Sequence, residues 1–409
     1  MATTSPLAPE RFPDLPDVPG VRLAAIEAGL RYQRRADLML AEVEPGTAVA
    51  GVFTRSQCPS APVDWCRRIL TGGRARAIVC NAGNANAFTG RAGETAARLT
   101  AETIARSIGC SADEVYLAST GVIGETLDEA ALAEALPVLA GSGMVGWEQA
   151  ADAIRTTDTF AKGSSRSVAG PGGVDGSVVG IAKGSGMIAP DMATMLSFVF
   201  TDLAITAPAL QRALSTSVGA SYNRITVDSD TSTSDTVLLF ATGLAGNAPI
   251  EGASSPGWGA FVEALDAVNL DLAHQIVRDG EGATKFVEVA VLGAVDDASA
   301  RTIAFAIGNS PLVKTALAAE DANWGRIVMA VGKSGQPADR DSLAIWIGPE
   351  QVTEAGVALE GYSERRATEH LRGDEVTITV DVGVGEGQAS IWTCDLTHGY
   401  IEINAGYRS

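Results

Sequence analysis

The sequence predicts a mixed α/β (α+β) fold built around at least one large buried sheet. Strand-like runs recur along the whole chain of 409 residues, and several are apolar on both alternating faces, which is typical of strands buried on both sides. Helix-period segments lie between these runs without strict alternation. The 45 glycines supply tight turns and close backbone contacts. Such patterns predict the fold class but not the order of the strands.

The first part of the chain predicts short strands followed by helices. The clearest helix covers residues 91–109, where Ala97, Ala101 and Ile104 recur at helical spacing. Gly109 is a good stop signal for it. The other elements predicted here are strands within 21–54 and at 74–80 and 115–120, and short helices at 127–136 and 147–154.

The second part predicts a helix at 207–218, with Thr206 as its N-cap and Pro208 in its first turn. A soft boundary near residue 285 separates a main catalytic domain, 1–285, from a smaller C-terminal domain, 286–409. The remaining predictions are strands at 177–182, 195–200, 223–228 and 235–242, a helix within 258–278, and strong strands at 284–295, 343–348, 375–383, 389–396 and 399–405.

Composition excludes several classes of protein. The formal net charge of −19 argues against a partner that is nucleic acid or an anionic membrane. The sequence contains no uninterrupted run of 18 apolar residues and no apolar signal core near its start, so we expect a cytoplasmic protein. The five cysteines are odd in number and form no CxxC pair, so we expect free thiols, with neither a zinc site nor a disulfide framework.

Two nucleotide-binding motifs are matched only in part. Gly184, Gly186 and Ala189 fit GxGxxA, but Pro190 follows at once, so no helix can begin there to hold a pyrophosphate. The VGKS run at 331–334 lacks the leading glycine of a P-loop. The three histidines are far apart, and no GxSxG motif occurs. Any chemistry therefore needs a different base.

The most informative stretch is residues 181–202, where Thr194 stands between an irregular turn and an apolar run. Gly184 and Pro190 break both the helical and the strand period before it. Residues 195–200 then read as a short strand that is buried on both faces. An N-terminal nucleophile needs this layout, since the bond before the hydroxyl residue is cut to free its amine. On composition alone, the better interpretation is a structural threonine that starts a strand.

The motif KGSGMIAPDMATML, residues 183–196, resembles the self-cleavage motif of the ornithine acetyltransferase family, the bifunctional glutamate N-acetyltransferases. The resemblance implies a cut between Ala193 and Thr194, which gives an α chain, 1–193, and a β chain, 194–409. One departure from the family is Asp191, where asparagine is frequent. The similarity runs from residue 20 to the last residue and includes NAGNANA at 81–87, NRITVDSDTSTSDT at 223–236 and DANWGRI at 321–327.

The resemblance implies that Thr194 acts as the nucleophile in both maturation and catalysis. Its hydroxyl would attack the carbonyl of Ala193, and an N-to-O acyl shift followed by ester hydrolysis would free its amine. A terminal α-amine has an ordinary pKa of about 7.7–8.0, which suits a general base at neutral pH. An acyl donor would then acylate Thr194, and an acceptor amine would remove the acyl group in a ping-pong reaction.

Oxyanion stabilisation is assigned to Thr120 and Gly121 within STGVIGE, residues 119–125. By itself, a Ser-Thr-Gly run after a strand is a common helix N-cap signature. The match to the family's Thr-Gly oxyanion pair favours the functional interpretation. A glycine also lets a backbone N–H approach a ligand closely.

Substrate contacts follow from the resemblance at matching positions. Lys183 suits a substrate carboxylate, and Glu281 suits the side-chain ammonium of ornithine. The structural alternatives are a solvated loop cation for Lys183 and a helix-end acid for Glu281. The polar run 228–236 is assigned ordinary turn chemistry and no catalytic role. The residues assigned to substrate binding are Thr157, Lys183, Thr194, Glu281, Asn404 and Ser409.

The C-terminal tail, which carries Asn404 and Ser409, has two alternative interpretations. The last few residues of a domain are frequently poorly ordered. Ile401 and Ile403 alternate up to Asn404, however, which predicts a paired strand.

The resemblance implies acetyl transfer from N2-acetyl-L-ornithine to L-glutamate in arginine biosynthesis, with acetyl-CoA as an alternative donor. It implies no cofactor or metal, an N-terminal-nucleophile-like layered fold of the ornithine acetyltransferase/DmpA type, and an α2β2 heterotetramer of the protein's own cut chains. Two alternatives stay open: an aminopeptidase or amidase that uses the same Thr194 with water as acceptor, and a non-catalytic binding protein in which Thr194 is structural.

Overall fold

The computed structural model describes residues 3–171, 174–189 and 195–406. These residues form two compact units. The larger comprises Glu10–Asn223 and Asp230–Ile276, within the described ranges. The smaller comprises residues 3–9, 224–229 and 277–406. The smaller unit thus takes in the chain from residue 277, whereas the domain boundary predicted from the sequence is near 285.

The larger unit contains two sheets. One has four strands in the order β1-β2-β4-β5, and the other has five in the order β3-β9-β8-β7-β6. These are β1 (Val21–Ile26), β2 (Leu38–Val43), β3 (Ala48–Phe53), β4 (Ala77–Asn84), β5 (Val115–Val122), β6 (Lys162–Gly170), β7 (Val174–Lys183), β8 (Leu196–Thr201) and β9 (Thr236–Ala241).

Helices flank these sheets, and two of their ends carry clear capping residues. The helix predicted at 91–109 ends with Gly109 in the left-handed region, at φ 73°. Another helix begins at an N-cap, Asp128, whose carboxylate accepts hydrogen bonds from two backbone N–H groups. The helices are α1 (Ala61–Ile69), α2 (Gly90–Ile108), α3 (Glu129–Gly141), α4 (Trp147–Ala153), α5 (Ala207–Ala220) and α6 (Trp258–Arg278).

The core of the larger unit lies between its two sheets. Tyr116 on β5 contacts Phe240 on β9 edge to face, with ring centroids 6.3 Å apart. Phe240 stacks on Phe200 of β8 at 5.1 Å, so the aromatic rings join the sheets across the core. All six residues of β8 are buried, as the apolar run at 195–200 predicts. The predicted mixed α/β class is confirmed.

Pairing between neighbouring strands positions the strand ends that carry the candidate site residues. β8 pairs antiparallel with β7, with Leu196 opposite Lys183. β8 also pairs parallel with β9, with Leu196 opposite Thr236. β4 and β5 are parallel, so Gly83 lies opposite Gly121 at their carboxyl ends. The ends of β5 and β7 therefore carry the candidate residues.

The smaller unit has a six-stranded sheet in the order β13-β12-β11-β14-β10-β15. Helix α7 packs on this sheet over a core that includes Val289, Ile303 and Ile378. The strands are β10 (Phe286–Ala294), β11 (Ala344–Ile347), β12 (Glu350–Glu354), β13 (Val357–Ala358), β14 (Glu375–Asp381) and β15 (Gly387–Cys394). The helices are α7 (Asp297–Gly308), α8 (Pro311–Ala318), α9 (Trp324–Gly332), α10 (Glu364–Leu371) and α11 (His398–Ala405).

Two predicted strands are wrong. The segment 223–228 begins inside a 3-10 turn, Tyr222–Arg224, and pairs through a single bridge, from Ile225 to Trp392. The tail predicted as a strand at 399–405 is helix α11, and Ile401 is 65% exposed on it. Both predictions rest on two or three alternating apolar residues, which are too few to distinguish the period of a strand from that of a helix.

Across residues 3–171, 174–189 and 195–406, none of the helices combines the length and the apolar character that crossing a membrane requires.

Candidate active site

The described residues include six of the predicted site residues. Ala193, Thr194 and Ser409 lie outside the described residues. The larger unit carries Thr120, Gly121, Thr157 and Lys183, and the smaller carries Glu281 and Asn404.

Lys183 is the last residue of β7. It contacts Thr120, which lies 63 positions earlier in the sequence. Its Nζ donates to Thr120 Oγ1 at 3.3 Å and to Thr156 Oγ1 at 2.9 Å. Lys183 is only 2% exposed, so the alternative of a solvated loop cation is wrong. An ammonium group has only donors, so both threonine hydroxyls must accept from it. The proton of the Thr120 hydroxyl is therefore available to another acceptor.

Gly121 follows Thr120 at a point where only glycine fits. Its φ is 130°, a conformation that residues with side chains rarely adopt. A Cβ at this position would collide with the backbone of Gly83 on the neighbouring strand. The Thr120–Gly121 pair therefore lies in a tight backbone corner at the carboxyl ends of β4 and β5.

The NAGNANA run at 81–87 shapes this corner through its asparagine side chains. Asn81 accepts from the Ser119 hydroxyl at 2.5 Å and donates to the carbonyl of Asn84 at 2.8 Å. Asn84 in turn donates to the carbonyl of Glu125 at 3.0 Å. The run thus connects the ends of β4 and β5 on both sides of Thr120 and Gly121.

Asp158 is a buried carboxylate that the sequence analysis missed. Its Oδ1 accepts from Lys162 Nζ at 2.8 Å and from the backbone N–H of Gly184 at 2.5 Å. Its Oδ2 accepts from the N–H of Thr156 at 3.1 Å and lies 3.7 Å from Lys183 Nζ. Burial opposes ionisation, but the two lysines and these hydrogen bonds outweigh it and hold the pKa of Asp158 well below its usual range.

Thr157 lies between Thr156 and Asp158 and is half-buried. Its Oγ1 is 2.7 Å from Ser185 Oγ, and either hydroxyl can donate. Residues 156–158 therefore contact the segment that follows β7 through both side-chain and backbone groups. The only sequence signal for Asp158 is its place in the TTDT run that contains Thr157.

A second buried carboxyl, Asp235, precedes β9 and lies beside the start of β8. Its Oδ1 accepts from the backbone N–H of Met195 at 2.9 Å, and the N–H of Thr236 donates to the carbonyl of Met195 at 3.2 Å. Burial raises the pKa of Asp235 well above its usual range, opposed by the Met195 hydrogen bond. Asp235 therefore fixes the backbone at Met195, and its raised pKa favours the neutral form.

We expect Asp235→Asn to gain stability relative to the original chain as pH rises. Because its pKa is raised, Asp235 holds its proton to higher pH in the folded state than in the unfolded chain, where it ionises above a pKa of about 3.9. The folded state therefore binds more protons than the unfolded chain. As pH rises above that value, the free energy of unfolding falls by up to about 1.4 kcal/mol per pH unit. Asparagine keeps an acceptor for Met195 without this loss.

The measurement is the thermal midpoint of both proteins at pH 5 and pH 8. The difference between variant and original chain should be larger at pH 8, since all other titrating groups are common to the two proteins. A difference that does not change with pH would contradict a raised pKa of Asp235.

In the smaller unit, the structure brings Glu281 and Asn404 together. Asn404 Nδ2 donates to Glu281 Oε2 at 2.6 Å and to the carbonyl of Tyr400, one turn earlier in α11, at 3.0 Å. Gly282 has φ 73° and lies against the backbone of Gly399 and Tyr400. Helix α11 is thereby held on the loop that carries Glu281, so this part of the tail is helical and bonded to that loop.

Among the described residues, no group of three or more His, Cys, Asp or Glu side chains is arranged to hold a metal ion. The charged groups near Thr120 are the carboxylate of Asp158 and the ammonium groups of Lys162 and Lys183. Groups of this kind bind and orient organic substrates by hydrogen bonds and charge.

Comparison with known proteins places this chain in a family. The model of the ArgJ family matches residues 22–409. The chain belongs to the ArgJ family. The arginine biosynthesis bifunctional protein ArgJ of Rhizobium meliloti (strain 1021) is 56% identical over 411 residues, covering 100% of this chain and 99% of that protein. That of Gluconobacter oxydans (strain 621H) is 54% identical over 406 residues, covering 99% and 95%.

A solved ArgJ structure supports the same conclusion. The crystal structure of the arginine biosynthesis bifunctional protein from Bacillus halodurans matches with a TM-score of 0.51 and 47% sequence identity. It covers 52% of this chain and 100% of that chain. The family membership predicted from the motif at 183–196 is confirmed.

Proposed function

We propose that this protein transfers an acetyl group from N2-acetyl-L-ornithine to L-glutamate in arginine biosynthesis. One observation carries the proposal: Lys183, the first residue of the cleavage motif, holds the Thr120 hydroxyl with its proton available for an oxyanion. Membership of the ArgJ family supports it, as does the name of its relatives, which states arginine biosynthesis.

In the proposed reaction, Thr194 Oγ attacks the acetyl carbon of the donor. The Thr194 α-amine takes the hydroxyl proton and passes it to the leaving nitrogen, as the carbon–nitrogen bond of acetylornithine breaks. The glutamate amine then attacks the acetyl-Thr194 ester. The bond from the acetyl carbon to Thr194 Oγ breaks, and the Thr194 α-amine passes to this oxygen the proton that the glutamate amine loses. Each step forms a tetrahedral oxyanion, which Thr120 and Gly121 are placed to stabilise.

The binding roles follow from the charge of the substrates. Lys183 is the buried cation for the substrate carboxylate, and Thr157 adds a hydroxyl. Glu281, with Asn404 bonded to it, provides an anion for the side-chain ammonium of ornithine, and Ser409 is assigned to the same group of residues. The transferase is favoured over the hydrolase alternative because the relatives are biosynthetic proteins.

Maturation and assembly belong to the same proposal. The chain cuts itself between Ala193 and Thr194, and the two products stay together and pair as an α2β2 heterotetramer in the cytoplasm. Acetyl transfer between amino acids needs no cofactor. The word bifunctional in the relatives' name favours a second activity, the acetylation of glutamate by acetyl-CoA.

The test is the release of ornithine from N2-acetyl-L-ornithine, measured with and without glutamate. A transferase releases ornithine in proportion to added glutamate and forms N-acetylglutamate in equal amount. Equal release without glutamate would show a hydrolase and overturn the proposal. Replacing the donor by acetyl-CoA in the same assay tests the second activity.

A further inference from the structure

The two buried ion pairs around Lys183 are unequal in length. Two ammonium groups, those of Lys162 and Lys183, face one carboxylate, that of Asp158. The side chains of Lys162 and Asp158 are 0% exposed and that of Lys183 is 3% exposed. Among the described residues, Asp158 is the carboxylate that both lysines share in a place shielded from water.

The geometry shows which lysine Asp158 pairs with more closely. Lys162 Nζ lies 2.8 Å from Asp158 and also contacts the carbonyl and the ring of Phe160, the ring centroid at 4.6 Å. Lys183 Nζ lies 3.7 Å from Asp158, beyond hydrogen-bond distance, and donates to two neutral hydroxyls. Asp158 thus pairs more closely with Lys162. Of the two lysines, Lys183 is the one whose charge Asp158 compensates less.

An uncompensated ammonium group is costly to bury unless an anion joins it. A substrate carboxylate would supply that anion, and its binding would gain from the low dielectric of the site. If Asp158 were instead free to pair closely with Lys183, it would compete with the substrate for the same charge.

We propose that Lys162 is a positioning residue that keeps Lys183 available: by pairing with Asp158, it leaves the Lys183 ammonium to bind the carboxylate of the substrate. This inference rests on the proposed function, in which Lys183 binds that carboxylate. Lys162 itself acts only through Asp158 and touches neither substrate nor the reacting atoms.

The test compares N2-acetyl-L-ornithine with its α-carboxamide, which has the same shape without the carboxylate charge. In the original chain, kcat/KM should favour the acid over the amide. In Lys162→Met, Asp158 is left to neutralise Lys183, so the preference for the acid should fall at least about tenfold, mostly through KM. In Lys162→Met/Asp158→Asn, the competing carboxylate is gone, and the preference should return.

The acid-to-amide ratio separates this role from a merely structural ion pair, whose loss would lower the activity on both substrates alike. An unchanged preference in Lys162→Met would overturn the inference, as would a double variant no better than the single one. If Lys162→Met does not fold, the double variant still decides, because it has the net charge of the original chain and must keep the preference. Absence of transfer in the original chain would instead overturn the proposed function.

Discussion

Thr194→Ala is expected to leave one uncut chain of 42.0 kDa that transfers no acetyl group. Without the hydroxyl, neither the acyl shift at Ala193 nor the acetyl ester can form, so both maturation and catalysis lose their nucleophile. The loss of kcat should be on the order of 10⁴-fold or more, the scale seen when a catalytic nucleophile is removed. Intact mass under denaturing conditions reads the cleavage, and an acetyl-transfer assay reads the activity.

Thr194→Ser is the matched control, because serine keeps a hydroxyl at the same position. It should cut, though more slowly, and retain measurable transfer. A Thr194→Ala protein that still appears as two chains would show that another group starts the cleavage, and the proposed nucleophile would have to be abandoned.

Thr120→Val is expected to lower kcat by about 10²–10³-fold with little change in KM, the effect of removing one oxyanion donor. Valine keeps the shape of threonine and removes the hydroxyl that accepts from Lys183. Steady-state kinetics with varied acetylornithine separates kcat from KM. Thr120→Ser should restore most of the rate, because serine returns the donor.

Thr156→Val gives the matched control for Thr120. Its hydroxyl also accepts from Lys183, so the variant removes one acceptor from the same ammonium. Thr156 is not part of the Thr-Gly pair at the end of β5, and its loss should change kcat much less. Equal effects in the two variants would show that Thr120 serves only to hold Lys183.

Sequence patterns are sufficient to predict a helix or a strand where they extend over many residues. The run at 195–200 is apolar on both faces, and β8 is buried throughout. The helical spacing from Ala97 to Ile104 and the stop at Gly109 give α2 with its left-handed cap. By contrast, the alternation of Ile401 and Ile403 is too short, and the first turn of the real helix is fixed by the Thr397 cap.

The parts of the site that the sequence did not predict depend on contacts between distant segments. The resemblance names Thr120 and Lys183 separately, but only the folded chain shows that one donates to the other. Asp158 and Lys162 look like ordinary surface charges, yet both are buried, because β6 and β7 bring them against the end of the Lys183 strand. Asp235 lies in a polar run that is typical of turns, and pairing of β8 with β9 buries it.

The pairing of β7 with β8 has a consequence for refolding if the chain is cut as proposed. β7 precedes the proposed cut and β8 follows it, so six consecutive residue pairs, from Val178 with Thr201 to Lys183 with Leu196, join two separate polypeptides once the chain is cut. The uncut chain would refold as a single molecule. Once cut as proposed, the protein would refold only if its two pieces met, so its recovery after denaturation would depend on concentration and its lifetime on the rate of unfolding.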